Sequence, residues 1–170
     1  MAHNLCDDVT EDGEARRIAE QRQAVHAKHT TPRLYDDPCR ENEIGVIGER
    51  AFARAFGLQH DDRILAEGDG GCDFRVILGK RNVTIDVKTA ARPVYLLVKT
   101  ADIASGADLY VLAHLDRGAV SFVGWETRAI MALMPTAEFS PGIESHFRHR
   151  EQLRPMGQLV DLMALRAEIA

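Results

Sequence analysis

The spacing of apolar residues changes along the chain from a helical to an alternating pattern. In ENEIGVIGERAFARAFGL, Ile44, Ile47 and Ala51 recur at helical spacing. Gly57 stands where a helix C-cap is expected, so we predict a helix over residues 41–56. The segments that follow alternate or are continuously apolar, are rich in β-branched residues and predict five strands: DFRVILG, VTIDVKT, VYLLVKT, DLYVLAHL and AVSFVGWE. The loop GKRN joins the first two into a hairpin.

The ends of the chain carry weaker patterns. Near the N-terminus, EDGEARRIAEQRQAVHAKH has helix-forming composition, and Pro32 and Pro38 follow it as helix breakers. TRAIMALM, which is closed by Pro135, and the amphipathic GQLVDLMALRAEIA predict two more helices. We therefore predict an N-terminal helical extension over residues 1–40 and an α/β domain over residues 41–170. In that domain a central mixed five-stranded sheet is flanked by helices.

The composition is that of a soluble globular chain. Its 170 residues are 45% hydrophobic and 28% charged, which suits one domain with a buried core. Cys6, Cys39 and Cys72 are widely spaced and odd in number, which disfavours a disulfide framework or a cysteine zinc site and favours a reducing compartment. Because no signal-peptide or membrane-spanning run is present, we expect a cytoplasmic location, in the host cytoplasm if the protein is viral.

The net charge of −5 disfavours a general nucleic-acid coat protein, which would be basic. It does not exclude an enzyme that binds DNA through a local basic strip and metal ions. The most basic strip is HFRHREQLRP, over residues 146–155. It is interpreted equally well as a phosphate-binding surface or as a solvated segment.

Two charged residues distinguish the second strand of the predicted hairpin, TIDVKT. Because side chains alternate along a strand, Asp86 and Lys88 share one face. Charges on a buried strand cost free energy unless they are paired or used. The letters VKTA recur at residues 98–101, but Leu97 stands where the first copy has Asp86. Lys88 is therefore the lysine with a chemical role, and Lys99 is interpreted as a solvated strand-end residue or a phosphate contact.

The register of the hairpin decides whether a second carboxylate reaches Asp86. A four-residue loop over residues 79–82 predicts these opposed pairs: Leu78–Val83, Asp73–Lys88 and Arg75–Asp86. Asp73 and Asp86 are then diagonal neighbours on one face, about 7–8 Å apart at the backbone. Two carboxylates so placed suit Mg²⁺, which retains waters and takes substrate phosphate as a further ligand.

The residues just described resemble the PD-(D/E)XK nuclease superfamily. Glu49 lies on the helix in IGERAF, Asp73 in GGCDFRV, and Asp86 and Lys88 in TIDVKTA. The resemblance covers about residues 41–126, with the elements in the same order. It is nearest to small phage-type and Holliday-junction-resolvase-like members, on the GExA helix and the VKT ending. A cysteine stands where the superfamily's name has a proline, at a position that is permissive.

The resemblance implies a restriction-endonuclease-like core and Mg²⁺-dependent hydrolysis of phosphodiester bonds, most readily in DNA. Asp73, Asp86 and the backbone carbonyl of Val87 would hold Mg²⁺, for which Mn²⁺ can substitute, and Glu49 would bind it directly or through water. Lys88 would orient or help to deprotonate the attacking water and stabilise charge on the phosphorane. No organic cofactor is expected, and two-strand cleavage leaves room for a homodimer.

Each of these residues also has a purely structural explanation. Asp73, Asp86 and Lys88 could form a cross-strand salt bridge on a surface hairpin, and Glu49 could be an ordinary exposed helix residue. The alternative function is therefore a catalytically silent nucleic-acid-binding or protein-interaction member of the same fold. Trp125 is expected to pack in the core.

Overall fold

In the computed structural model, the described residues are 6–8, 16–17, 20, 38–59, 72–78 and 80–164. No helix among them is long and apolar enough to cross a bilayer. Of the predicted N-terminal helix, only Arg16, Arg17 and Glu20 lie among the described residues; all three are helical, and Arg16 and Glu20 form an ion pair of 3.2 Å. The rest of that prediction lies outside them.

The chain is α/β, and in its described part the strands outnumber the helices. The strands are β1 (Cys6–Asp8), β2 (Phe74–Leu78), β3 (Arg81–Ala90), β4 (Tyr95–Lys99), β5 (Leu109–Asp116), β6 (Ala119–Thr127), β7 (Thr136–Ser140) and β8 (Ile143–His149). The helices are α1 (Pro38–Phe56), α2 (Thr100–Ile103), α3 (Arg128–Met131) and α4 (Met156–Ala164), with a 3₁₀ helix at Arg150–Gln152.

Helix α1 confirms the helix predicted over residues 41–56 and begins three residues earlier. Pro38, interpreted from the sequence as a breaker, is the first helical residue, where its missing N–H costs no hydrogen bond. Gly57, at φ 59°, ends the helix. The N–H groups of Gly57 and Leu58 bond to the carbonyls of Arg54 and Ala53, at 3.3 and 2.8 Å, as in a Schellman motif.

The main sheet is mixed. Four strands form its body in the order β6-β5-β3-β2, and the short β1 pairs with β6 at the edge. The β3–β5 pair is parallel and the other pairs are antiparallel. Since β1 comes from the predicted N-terminal extension, that segment contributes a strand to this sheet, and the division of the chain at residue 40 stays a prediction.

One face of the main sheet packs against α1 and α4. Its core contains Phe52 from α1, Ile85 and Val111 from the sheet, and Leu159 from α4. Trp125 is buried in the same cluster, as predicted, and its indole N–H donates to the carbonyl of Pro155 at 3.2 Å.

The opposite face of the main sheet packs against a second, three-stranded antiparallel sheet in the order β4-β8-β7. Leu96 and Val98 of β4 are fully buried against Leu112 of β5 and Met131 of α3. The prediction that VYLLVKT belongs to the central sheet is therefore wrong. The alternation of apolar residues predicts a strand with one buried face. It does not show to which sheet the strand belongs, because the period is the same in either sheet.

Helix α3 is shorter than its prediction. TRAIMALM forms only one turn, Arg128–Met131, which the Thr127 hydroxyl caps by accepting from the Ile130 N–H at 3.3 Å. The C-terminal helix is described as far as Ala164, and the remainder of its prediction lies outside the described residues.

The β2–β3 hairpin has a register that differs from the predicted one. The observed pairs are Phe74–Ile85, Arg75–Thr84, Val76–Val83, Ile77–Asn82 and Leu78–Arg81. The predicted pairs Leu78–Val83, Asp73–Lys88 and Arg75–Asp86 are wrong, because residues 81 and 82 belong to β3 and the connection is two residues long. The shift amounts to two residues, so every side chain keeps its predicted face.

Candidate active site

The β2–β3 hairpin brings together the two aspartates predicted to hold a metal. Asp73 directly precedes β2, and its backbone N–H donates to the carbonyl of Ile85 at 2.9 Å. Its carboxylate Oδ2 accepts from the N–H of Val87 at 2.7 Å. Asp86, next to Val87 in β3, is buried and interacts with Asp73 strongly enough to raise the Asp73 pKa.

Lys88 lies on the same face of β3 as Asp86. Its Nζ is 2.7 Å from Oδ2 of Asp86, and its side chain is 38% exposed while that of Asp86 is 10% exposed. The Asp86 carboxylate is therefore sheltered, whereas the Lys88 side chain is partly exposed. A solvated surface salt bridge would expose both partners. The purely structural explanation therefore agrees with the exposure of Lys88 but not with the burial of Asp86.

Glu49 of α1 approaches the same site from the helix side. It is buried, and its Oε1 lies 3.7 Å from where a Cβ on Gly45 would be. The preceding residue of the helix, Gly48, lies so close to Thr89 of β3 that an added Cβ would overlap the threonine side chain. The missing side chain at Gly48 thus lets α1 rest on β3, and Glu49 acts electrostatically on Asp73. The explanation of Glu49 as an exposed helix residue is wrong.

The site carries more negative than positive charge. Burial raises the pKa of the Asp73 carboxyl well above its usual value, and the carboxylates of Glu49 and Asp86 raise it further. The Val87 N–H and the Lys88 ammonium act in the opposite direction but do not offset the rise. Around Asp73 the two neighbouring carboxylates thus outweigh Lys88, and a divalent cation would stabilise such an environment.

Lys88 stays a cation in this environment. Burial lowers its pKa, but the charge and hydrogen bond of Asp86, followed by the charges of Asp73 and Asp102, outweigh burial and leave the pKa raised. Asp102 belongs to α2, directly after the second VKTA. No motif marks it in the sequence, because its position near Lys88 depends on how β4 and α2 cross the sheet.

Tyr110 is a second residue that the sequence analysis missed. It pairs with Asp86 in the parallel β3–β5 register and is fully buried, and its hydroxyl has no hydrogen-bond partner among the described residues. Burial raises the pKa of this phenol, and the charge of Asp86 raises it further. A Cβ on Gly106 would overlap the hydroxyl, so a glycine is needed beside it. Tyr110 thus lies next to Asp86 on the neighbouring strand and is close enough to be affected by its charge.

The basic strip predicted near residue 150 is divided by the fold. Arg148 and Arg154 bind the buried carboxylate of Glu126, at 3.1 and 3.0 Å. Glu126 and its arginines are therefore a structural ion cluster, in which Arg154 also lies 5.3 Å from the centre of the Trp125 ring. Arg150 is exposed and His149 half-buried on the second sheet.

The donor atoms of the hairpin site fit a hard cation. Carboxylate oxygens and a backbone carbonyl are the ligands that Mg²⁺ prefers, and their surplus negative charge favours it. Among the described residues, no group of three or more His, Cys, Asp or Glu side chains is already gathered as a metal site. Instead the Asp73 carboxylate accepts from Val87, and the Asp86 carboxylate binds Lys88.

Comparison with known proteins adds no relative to this picture. A scan against protein-family models, a search of curated proteins and a search of solved structures each gave no significant match. The functional interpretation therefore depends on the residues and on their geometry.

Proposed function

We propose that this chain is a metal-dependent nuclease that hydrolyses phosphodiester bonds, most readily in DNA. The observation that carries the proposal is the meeting of Glu49, Asp73 and Asp86 with a protonated Lys88 at the end of one hairpin. Such a set costs free energy in a purely structural site, because three carboxylates repel one another out of water.

A divalent cation accounts for this charge imbalance. Asp73, Asp86, the Val87 carbonyl and Glu49 would hold Mg²⁺ or Mn²⁺, either directly or through water. Bound there, the metal supplies a Lewis acid for the scissile phosphate and lowers the pKa of a bound water. The protein fixes the ligands through the Asp73–Val87 hydrogen bond and through the contact of α1 with β3.

Lys88 acts as a charge stabiliser. Its Nζ is held 2.7 Å from Oδ2 of Asp86, beside the oxygens that would bind the metal. The resemblance implies that this lysine either orients the attacking water or helps to deprotonate it, and that it stabilises charge on the phosphorane. We propose that it orients the water and stabilises the charge.

We also propose that the main sheet with α1 is a restriction-endonuclease-like core. Support comes from the order of the elements, which is a glutamate-bearing helix, an antiparallel hairpin and a parallel partner for the second hairpin strand. Assembly as a homodimer stays a prediction.

The test is a cleavage assay on linear duplex, supercoiled plasmid, single strand and four-way junction, each with Mg²⁺, Mn²⁺ or EDTA. We expect metal-dependent cutting that Asp86→Asn abolishes. Asp116→Asn is the matched control, because Asp116 is exposed at the end of β5 and far from the hairpin in the register.

Equal activity in Asp86→Asn and Asp116→Asn would exclude this site as the catalytic one. Folded wild-type protein that cuts no substrate with either metal would remove the nuclease proposal and favour the silent nucleic-acid-binding alternative.

A further inference from the structure

The second sheet has an aromatic outer face that the proposed active site does not use. Four rings form it, and we name them the aromatic platform: Tyr95 of β4, Phe139 of β7, and Phe147 and His149 of β8. The Tyr95 ring centre lies 5.4 Å from that of Phe147, 5.5 Å from that of His149 and 5.7 Å from that of Phe139. Phe139 and Phe147 are 5.4 Å apart. The rings therefore form one continuous surface.

This surface faces away from the protein core. Leu96 and Val98 of β4 point into the core, so the residues that alternate with them, Tyr95 and Lys99 among these, lie on the outer side. All four platform rings are half-buried, because they cover one another and leave the rest of their surface to solvent.

Basic side chains border the platform at both ends, although the whole chain is acidic. Lys99 is exposed at the end of β4. At the other end Arg92 and Arg150 are exposed, and the Arg150 N–H donates to the carbonyl of Val94, the residue before Tyr95, at 2.9 Å. In a protein of net charge −5, this placement concentrates positive charge where a polyanion could be held.

Acidic side chains of the same sheet lie elsewhere. Glu138 and Glu144 lie opposite each other in the β7–β8 register. The Glu138 carboxylate accepts from the Gly142 N–H at 2.9 Å, and the Glu144 carboxylate accepts from the Thr136 hydroxyl at 2.8 Å. Strand alternation places Glu144 on the face opposite Phe147. Glu151 is an acidic residue that does adjoin the platform, with its Oε2 3.7 Å from Nδ1 of His149.

The platform lies on the strand that leads into the proposed active site. Strand β4 ends at Lys99 and leads directly into α2, whose Asp102 acts on Lys88. Five strand residues span about 13 Å, so a ligand on the platform would extend from the active-site end at Lys99 to the Tyr95–His149 end.

We propose that the aromatic platform binds an unpaired stretch of the nucleic-acid substrate. Bases stack on Tyr95, Phe147 and His149, and phosphates lie towards Lys99 and Arg150. Aromatic rings with a cationic border suit single strands, because every base has a face that can stack and every nucleotide carries a charge. This inference rests on the proposed nuclease function and specifies its substrate as one with a single-stranded segment.

Fluorescence anisotropy of the 170-residue chain tests the proposal, in EDTA so that nothing is cut. The probes are a labelled 12-nucleotide single strand and the duplex of the same sequence. Tyr95→Leu should weaken binding of the single strand by at least about fivefold, because one stacked base is lost. Ile77→Ala is the matched control, since it removes an exposed apolar side chain from β2 and should leave binding unchanged.

A second variant leaves the packing of the platform intact. Glu151→Gln removes a carboxylate that lies beside His149, on a side chain that is 83% exposed. It should strengthen single-strand binding about twofold at low salt, because a negative charge near the phosphates is lost. Thermal unfolding of both variants checks that they are folded.

The outcomes separate this inference from the nuclease proposal. Single-strand binding that neither Tyr95→Leu nor Glu151→Gln changes overturns the platform, even if duplex is still cut in a manner that depends on Lys88. Binding that depends on Tyr95 supports the platform even if no cleavage is found. A dimer in light scattering that Tyr95→Leu dissociates, together with no oligonucleotide binding, would assign the face to a second copy of the chain and overturn the inference.

Discussion

VKTA occurs twice in this chain, at residues 87–90 in β3 and at residues 98–101 across the end of β4. The two valines are both buried, since Val87 is 4% and Val98 0% exposed. The two lysines differ in their surroundings. Lys88 is bound to Asp86 at 2.7 Å, whereas Lys99 is exposed and pairs across the second sheet with Ser145.

The difference shows which part of the structure local sequence specifies. Four identical residues produce the same alternation and the same buried valine, because burial within a strand depends on its period. The surroundings of each lysine come from other strands. Lys88 is influenced by Asp73, which precedes β2, and by Asp102, which follows the second VKTA itself.

The largest expected difference between the two copies is in catalysis. Lys88→Ala should lower the rate of DNA cleavage by about 10²-fold or more, because it removes the positive charge that would stabilise the phosphorane. Lys99→Ala should lower it by a few-fold at most, through weaker substrate binding. Single-turnover rates with Mg²⁺ measure both, and equal losses would contradict the assignment of Lys88.

The two valines should instead behave alike. Val87→Ala and Val98→Ala each remove two buried methyl groups and should each destabilise the protein by about 2 kcal/mol. Urea unfolding of the two variants measures this. If only one of them is destabilised, the two VKTA copies do not pack alike. A difference between the two lysines could then no longer be assigned to their charged neighbours alone.

The charge around the first copy should make the metal-free protein less stable at neutral pH. The folded protein binds the Asp73 proton more tightly than the unfolded chain does, since the folded pKa is raised. Stability therefore falls as the pH rises from about 3.9, the unfolded pKa, through the raised folded pKa, and the loss persists at higher pH.

Asp73→Asn removes this penalty and keeps an acceptor for the Val87 N–H. In EDTA at pH 7 it should stabilise the protein by about 1 kcal/mol, and the gain should vanish below pH 4. Mg²⁺ should stabilise the wild type more than the variant. Melting temperatures across this pH range test both statements, with Asp116→Asn as the exposed control, and an Asn variant that is less stable at pH 7 would contradict them.

The smallest expected effect concerns the two threonines. The Thr89 hydroxyl is buried without a hydrogen-bond partner among the described residues, so Thr89→Val should stabilise the protein by up to about 1 kcal/mol. Thr100 is exposed at the start of α2, and Thr100→Val should change stability by less than about 0.5 kcal/mol. Denaturant midpoints compare the two, and the reverse order would show that Thr89 makes a bond through water.

The elements that local patterns determine could be predicted from the sequence. Helix α1 with its Gly57 cap and strands β2, β3, β5 and β6 follow from periodicity and turn residues. Strands β7 and β8 were missed, because TAEFS and IESHFRH lack an apolar run. The sheet to which β4 belongs could not be predicted either, since its partner β8 is distant in sequence.

The proximity of Asp73 and Asp86 could be predicted in spite of a wrong register. The hairpin turn is two residues shorter than assumed, and a shift of two residues preserves the faces of Asp73 and Asp86. A shift of one residue would have separated them. Asp102 and Tyr110 had no sequence signal, because their relation to the site depends on the connection between β3 and β5.

The pairing of β4 with β8 has a consequence for the order of events during synthesis. Strands β2 and β3 can form their hairpin soon after they leave the ribosome, but the sheet that contains β4 must wait for residues 143–149. Helix α2 continues directly from β4, so Asp102 comes to rest beside Lys88 only when that sheet has formed. The nascent chain therefore completes the surroundings of Lys88 only after residues 143–149 have been synthesised, well after Lys88 itself.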